Sequence, residues 1–261
     1  MALKGKIALI TASARGIGKG TAIVFARQGA RLFLCDISEE HLVATKAEIE
    51  KDYGVEVGAI VYDARKPEDI EKVSKAVIEK YGDIDILVNN AGIAGPSKPV
   101  TELTVEDWDE TLEINLRSPM LFVKHLAPYM IKKNSGKIVN VSSITGKRTL
   151  LYRAPYCASK IGMIGLTREL AEELGVYRIN VNAVCPGTVN TDRMKLLHSF
   201  QHARTGISWE EYAQKAAQAG FIKEIVESED VGNLISFLCD DELSFKITGQ
   251  DFNINCGVTT Y

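Results

Sequence analysis

A tyrosine and a lysine four residues apart share one face of a helix, close enough for the ammonium to favour the phenolate. A free tyrosine titrates near 10 and is a poor base at neutral pH, so such a pair builds a proton carrier for an alcohol or carbonyl oxygen. The 261-residue chain holds three pairs at this spacing, Tyr62/Lys66, Tyr129/Lys133 and Tyr156/Lys160. A second hydroxyl separates them. Thirteen residues upstream, the first two have Ile49 and Leu116, whereas Tyr156 has Ser143, which closes Asn140-Val-Ser-Ser143 just past an apolar run. Ser143 is then placed to hydrogen-bond a reacting oxygen, Tyr156 to move its proton and Lys160 to hold the phenolate charge.

A second group of residues suits phosphate. Thr11-Ala-Ser-Ala-Arg-Gly16-Ile-Gly18 follows an apolar run and leads into a helical stretch over about residues 17–28. Glycines at a strand-to-helix turn admit a pyrophosphate close to the backbone, and the helix N-terminus adds unpaired N–H groups and a favourable dipole. The spacing departs from G-x-G-x-x-G, with Thr21 where the third glycine would stand, and a turn made only for tight packing is the plainer alternative. Twenty residues past Gly16, Asp36 closes the second apolar run. A carboxylate there accepts hydrogen bonds from the adenosine ribose and repels a 2′-phosphate, which favours NAD over NADP. Arg15 argues the other way, since a guanidinium pairs with a 2′-phosphate, but Ile37 adds no second cation.

The elements that must position these residues follow from periodicity. Residues 6–11, 31–36, 55–62, 84–89, 137–142, 179–185 and 251–255 read as seven buried strands rich in Ile and Val, separated by helical stretches. Helix starts are signalled by Ser38 before Glu39 and Glu40, and by Pro67 before Glu68 and Asp69. Alternating β and α predicts an α/β, doubly wound parallel sheet of seven strands with helices on both faces, as one domain over residues 1–261. Between Pro186 and Glu229 no strand is expected, only helices near 191–203 and 208–217; this insert reads as a helical substrate lid over about 188–226.

Composition narrows the class. The chain is 46% hydrophobic and 25% charged, which is ordinary for a globular protein, and its net charge of -3 with interspersed signs lacks the basic face of a nucleic-acid binder. Five scattered cysteines have no zinc spacing and fit a reducing cytoplasm. No run has transmembrane length or a signal-peptide core, so a soluble cytoplasmic protein without membrane partners is expected. His198 and His202 at i, i+4 have no Glu or third ligand beside them; they read as an exposed helix face, with no metal expected.

These motifs resemble the short-chain dehydrogenase/reductase family, through nearly the whole chain. Thr11 to Gly18 is similar to the family's T-G-x-x-x-G-x-G turn, Asn89-Asn-Ala-Gly92 to its N-N-A-G, and Pro186-Gly-Thr-Val-Asn-Thr191 to the P-G-x-V-x-T turn that meets the nicotinamide. Ser143, Tyr156 and Lys160 match catalytic positions, Asn115 the helix asparagine, and Asp63 the residue that touches adenine. Ala12 departs from the pattern, standing where the family nearly always has its first glycine, so that a methyl group crowds the adenosine side. The resemblance implies a Rossmann-type fold and a catalytic set of Asn115, Ser143, Tyr156 and Lys160, with Asn115 helping to hold a relay water behind Lys160. It implies a cofactor site of Thr11, Ser13, Arg15, Gly16, Ile17, Gly18, Asp36, Asp63, Ala64, Asn90, Ala91, Gly92, Tyr156, Lys160, Pro186, Gly187, Val189 and Thr191. It further implies a homotetramer formed through 116–133, 154–174 and 247–258.

The substrate side offers Arg148, Arg153 and Arg193, with Lys195, His198, His202 and Arg204 nearby on the lid. Solvated surface cations are the plain reading, and an anion clamp is the sharper one, because guanidinium forks suit carboxylate, sulfonate or phosphate. Trp108 and Trp209 read as packing residues, with closure over a substrate as an alternative for Trp209. The expected function is NAD(H)-dependent interconversion of a secondary alcohol and a ketone on a small polar or anionic substrate, such as a polyol, sugar acid, hydroxy acid or hydroxyalkyl sulfonate. One alternative is a 3-oxoacyl-carrier-protein reductase using NADPH, opposed by Asp36 and by a basic patch of only Lys132 and Lys133. Another is a catalytically silent NAD-binding sensor or scaffold, opposed by the complete catalytic set.

Overall fold

The computed structural model describes residues 1–260. Its strands are β1 (Ile7–Thr11), β2 (Arg31–Asp36), β3 (Val57–Val61), β4 (Ile86–Asn89), β5 (Gly136–Val141), β6 (Ile179–Pro186) and β7 (Asp251–Ile254). All pair in parallel, in the order β3-β2-β1-β4-β5-β6-β7. Every residue of β1, β4, β5 and β6 is buried, which is why these strands read as continuous apolar runs rather than alternating ones. The chain reverses direction across the sheet between β1 and β4, and the crevice outside the strand carboxyl ends there is where such sheets bind ligands.

Helices cover both faces. On one lie α1 (Gly16–Arg27), α2 (Glu39–Tyr53) and α9 (Ser228–Cys239), contributing Phe25, Leu42, Ile49, Val231 and Ile235 to a single core. On the other, α3 (Pro67–Tyr81), α5 (Ser118–Lys133) and α6 (Ala154–Gly175) contribute Val73, Phe122, Leu126 and Leu170 to a second. Each fully buried side chain of this kind stabilises the fold by roughly 1.5–3 kcal/mol. As expected, α3 opens on Pro67 with Glu68 and Asp69 in its first turn, and it stops at Gly82, whose φ of 77° is left-handed. Ser38 does precede α2, but its hydroxyl bonds His41 Nδ1 at 2.8 Å instead of capping the backbone.

Two local features bear on the site. Helix α1 packs against α9 backbone to backbone, because a Cβ on Gly20 would lie 2.7 Å from Ser228 and one on Gly232 3.0 Å from the Thr21 Cα. The close helix contact thus falls to Gly20, while Thr21 turns its hydroxyl back onto the Ile17 carbonyl at 2.8 Å. Farther along, α4 (Val105–Leu112), capped by the reciprocal Thr104–Asp107 box, widens into a π-helical turn at Glu113–Arg117 before becoming α5. Widened turns of this kind often mark functional sites, and this one carries Asn115, which is fully buried.

After β6 come α7 (Asp192–Thr205) and α8 (Trp209–Gln218), close to the expected helices. One difference is a single parallel bridge between Val189 and Val226, too short to leave a periodic signal, which ties the ends of the segment together. Another concerns His198 and His202. His202 is exposed as expected, but His198 is half-buried: both imidazoles lie against the Ile207 carbonyl, at 3.1 Å for His198 and 2.8 Å for His202, and His198 packs on Trp209 and Tyr212 with ring centroids 5.4 and 5.3 Å away. The chain turns back at Gly206 and brings α8 onto α7, a contact that residue spacing within α7 does not reveal. Among the described residues, no helix is long and apolar enough to cross a membrane.

Candidate active site

The carboxyl ends of β4 and β5 and the first turns of α6 converge on Tyr156. Lys160, one turn along α6, is 2% exposed and donates to the Val141 carbonyl at the end of β5, at 2.9 Å. Its Nζ lies 5.7 Å from the centroid of the Tyr156 ring. Ser142 donates to the Lys160 carbonyl at 2.8 Å, so the strand end and the helix are stitched together beside the pair. Ser143 is extended and buried, accepts from the Thr145 N–H and donates to the Thr145 hydroxyl at 3.1 Å each, and its hydroxyl is among the groups that lower the Tyr156 pKa.

Electrostatics around Tyr156 favour its ionised form. Burial alone pushes its pKa up, but Lys160, Arg193, Ser143 and Arg153 outweigh burial and bring it below the ordinary phenol value. Burial also lowers the pKa of Lys160, as does Arg193, while the facing Tyr156 opposes the shift.

Asn115 links the loop after β4 to α6. Its Oδ1 accepts from the Ile93 N–H at 2.7 Å, and its Nδ2 donates to the Ile93 carbonyl and to the Ser159 hydroxyl at 3.0 Å each. Gly92 sits in this junction, where a Cβ would come 3.1 Å from Asn115 Oδ1 and 3.5 Å from Lys160 Nζ. Asn115, Ser143, Tyr156, Lys160 and Gly92 are therefore one cluster.

The phosphate-type turn also folds as a cradle. A Cβ on Gly18 would lie 2.2 Å from the Ala12 carbonyl, so only glycine lets the backbone double back there. No side chain caps α1 and no acid occupies its first turn, which leaves its N-terminal N–H groups and positive dipole end for an anion. Gly16, at φ 54°, faces Thr191, whose Cγ2 would be 3.3 Å from an added Cβ, so the turn after β6 borders the same cleft. These features fit a dinucleotide pyrophosphate.

Other expected cofactor residues have prior engagements. Thr11 Oγ1 accepts from the N–H groups of Asn90 and Ala91 at 2.9 Å each, and the Asn90 amide donates to the Thr11 and Ala12 carbonyls at 3.0 Å each. Ser13 is fully buried and its hydroxyl accepts from the Cys35 N–H at 3.1 Å. Thr11, Ser13 and Asn90 thus hold the turn's shape with their side chains. Asp36 accepts the N–H groups of Ala14 and Ser38 at 3.0 Å each, one on each oxygen, which leaves lone pairs on both. Arg15 lies 3.7 Å from Asp192 at the start of α7. Asp63 is gripped by Arg65, whose Nη2 is 2.6 Å away and whose hydrogen bond holds the carboxyl below its ordinary pKa. Ala64 and Ile17 are half-buried, Pro186 ends β6, Gly187 backs onto Asn255, and Val189 is held by its bridge to Val226.

The three substrate-side arginines separate. Arg148 is exposed, its backbone N–H bonded to the Ile144 carbonyl, and its side chain does not join the cluster. Arg153 is 3% exposed, 5.8 Å from the Tyr156 ring and 5.4 Å from that of Phe200 on α7. Arg193, on the first turn of α7, donates to the Gly92 carbonyl. Sequence reasoning missed Arg65 and Phe200, which reach Asp63 and Arg153 from other elements and carry no local motif, and Ser159, which lies on α6 between Tyr156 and Lys160 and accepts from Asn115.

A twisted parallel sheet with a phosphate cradle at its reversal point and a Ser–Tyr–Lys cluster beside it defines a dinucleotide-dependent oxidoreductase class. Residues 6–202 match the short chain dehydrogenase family, and the chain belongs to it. It is similar to the 3-oxoacyl-[acyl-carrier-protein] reductase of Thermotoga maritima, 38% identical over 99% of both chains. It superposes on an actinorhodin polyketide ketoreductase with NADPH at a TM-score of 0.94, with 33% identity over 98% of each chain. It likewise matches a 7α-hydroxysteroid dehydrogenase complexed with NADH and 7-oxo glycochenodeoxycholic acid, at a TM-score of 0.89 and 31% identity over 98% of this chain and 94% of that one.

Proposed function

We propose that this protein is an NAD(H)-dependent oxidoreductase that interconverts a secondary alcohol and a ketone on a small polar substrate. The observation that carries the reading is the half-buried Tyr156 phenol, drawn toward ionisation by Lys160 one turn along α6, with Ser143 adding to the effect. A bound nicotinamide supplies the hydride acceptor or donor. The rest is done by this chain: Ser143 orients the substrate oxygen, Tyr156 takes or returns its proton, and Lys160 holds the phenolate. Asn115 positions α6 against the β4 loop behind them, and its side chain is spent on Ile93 and Ser159. Residues 188–226, with α7 and α8, serve as the lid. Replacing Tyr156 by Phe is expected to leave the NADH Kd within about threefold while lowering kcat by at least about a hundredfold. Turnover within a few-fold of wild type would overturn the assignment.

Asp36 supports NAD, because both carboxylate oxygens keep lone pairs for ribose hydroxyls and their charge repels a 2′-phosphate. Asp36→Ala is expected to raise the NADP/NAD ratio of kcat/KM by about tenfold or more, and to lower stability by about 1–3 kcal/mol as two backbone N–H groups lose their acceptor. Both changes are read from initial rates and urea unfolding.

A second reading, reduction of a 3-oxoacyl thioester with NADPH, is favoured by the Thermotoga relative and the NADPH-bound ketoreductase. Against it, Lys133 is neutralised by Asp83 and Asp85 at 3.1 and 2.7 Å, which leaves Lys132 alone on that stretch for an acidic carrier. Preferential turnover of acyl thioesters with NADPH would favour this reading. NADH binding with no turnover of any alcohol, ketone or thioester would favour a silent sensor.

A further inference from the structure

Arg153 is the N-cap residue of α6, three positions before Tyr156, and its guanidinium is almost wholly buried. Among the described residues it has no carboxylate partner. Its Nη1 makes a long bond of 3.3 Å to the Gly95 carbonyl, its Nε has no acceptor, and it lies between the rings of Tyr156 and Phe200. A second cation is close by: Arg193 reaches the carbonyl of Gly92 in the same loop, and among the described residues it too forms no ion pair. The acid next to it, Asp192, is engaged by Arg15 and Lys195 instead, at 3.7 and 3.5 Å. Two guanidinium groups thus converge on the proton carrier from α6 and from α7, and burial works against the charge of the first.

A buried cation without a counter-charge is costly to keep unless something negative completes it. We propose that Arg153 and Arg193 clamp the oxyanion head of the substrate, so that the substrate is a short hydroxy or oxo compound bearing a carboxylate, sulfonate or phosphate close to the reacting carbon. The proposal rests on the reading of Tyr156 as proton carrier, and it names the substrate class of that same site. Planar guanidinium forks give such a head two directed bonds, and the short span from Arg153 to Tyr156 excludes a long spacer. The rings of Phe200 and Tyr156 hold the guanidinium in place when the anion is away.

The test compares 3-hydroxybutanoate and 2-hydroxypropane-1-sulfonate with neutral 3-hydroxybutanamide as substrates, and titrates the corresponding oxo anions by tryptophan fluorescence with NADH present. The wild type is expected to favour the anions over the amide on the order of 100-fold in kcat/KM. Arg153→Gln and Arg193→Gln should each cut that preference about tenfold or more, chiefly through KM, and should weaken anion binding in parallel. Arg153→Lys keeps the charge and should retain part of the preference; Arg193→Gln, on an exposed helix face, guards against a folding failure at Arg153. Equal turnover of amide and anions, or a change confined to the pH profile, overturns the clamp and leaves the oxidoreductase reading standing. Anion binding that the arginine variants weaken, with no turnover of any compound, supports the clamp and overturns the proton-carrier role. Absence of anion binding overturns the clamp.

Discussion

At the scale of single residues, Tyr156 is set by opposing influences. Burial favours the neutral phenol, and Lys160, Arg193, Ser143 and Arg153 together favour the phenolate more strongly. In the proposed role the phenol must lose its proton before it accepts one from an alcohol, so oxidation should rise with pH through its pKa, with a midpoint below the ordinary 10.0. Removing the ammonium with Lys160→Met should move that midpoint upward, as read from kcat/KM profiles. An unchanged midpoint would mean that Lys160 does not act on Tyr156. Ala12 shows a different balance. Its φ of 50° puts an L-residue in the left-handed region, at a cost of about 1–2 kcal/mol, and that conformation aims its carbonyl at the Asn90 amide. The departure from glycine is borne as backbone strain.

At the scale of elements, the cleft depends on helices that meet closely. The contact of α1 with α9 fixes the N-terminus of α1, and it exists because Gly20 and Gly232 present backbone alone. Gly20→Val should lower the unfolding free energy by about 1–3 kcal/mol, measured by urea, and should weaken NADH binding because α1 tilts with it. Unchanged stability would show that the helices part without strain. The π-helical turn acts similarly. Residues 113–117 are polar and apolar in no revealing rhythm, and the widened turn forms where Asn115 meets Ile93 and Ser159. On α7 and α8, the stack of His198, Trp209 and Tyr212 makes the two helices one body, so the proposed lid moves with Arg193 and Phe200 together.

At the scale of the whole molecule, α4, the π-helical turn, α5 and α6 border a groove of about 600 Å³ lined by Leu112, Leu116, Met120 and Leu166 with Asp109, Glu113 and Arg117 at its side, and it overlaps the surfaces expected to join subunits at Leu116, Met120 and Leu166. Met120 and Ile161 are 39% and 54% exposed beside it. The proposed assembly is a homotetramer, so light scattering should report four times 28.6 kDa, and Met120→Glu should reduce that mass. A mass near that of one chain would remove the assembly. The sheet's carboxyl edge gathers residues from the ends of β1, β4, β5 and β6 into one cleft, although they span most of the chain.

By itself, the sequence determined what short-range physics controls. Seven apolar runs became seven strands, each shifted by at most two residues at either end, because burial on both faces demands continuous Ile and Val. Ser143, Tyr156 and Lys160 were legible because a strand end and one helical turn fix their spacing. Tertiary structure decided how side chains meet across elements. Whether Asp63 is free or held by Arg65, whether His198 faces water or Trp209, and which of three arginines is buried without an acid are set by packing between segments distant in sequence. Periodicity carries no record of such contacts, since each depends on where a whole element comes to rest against another.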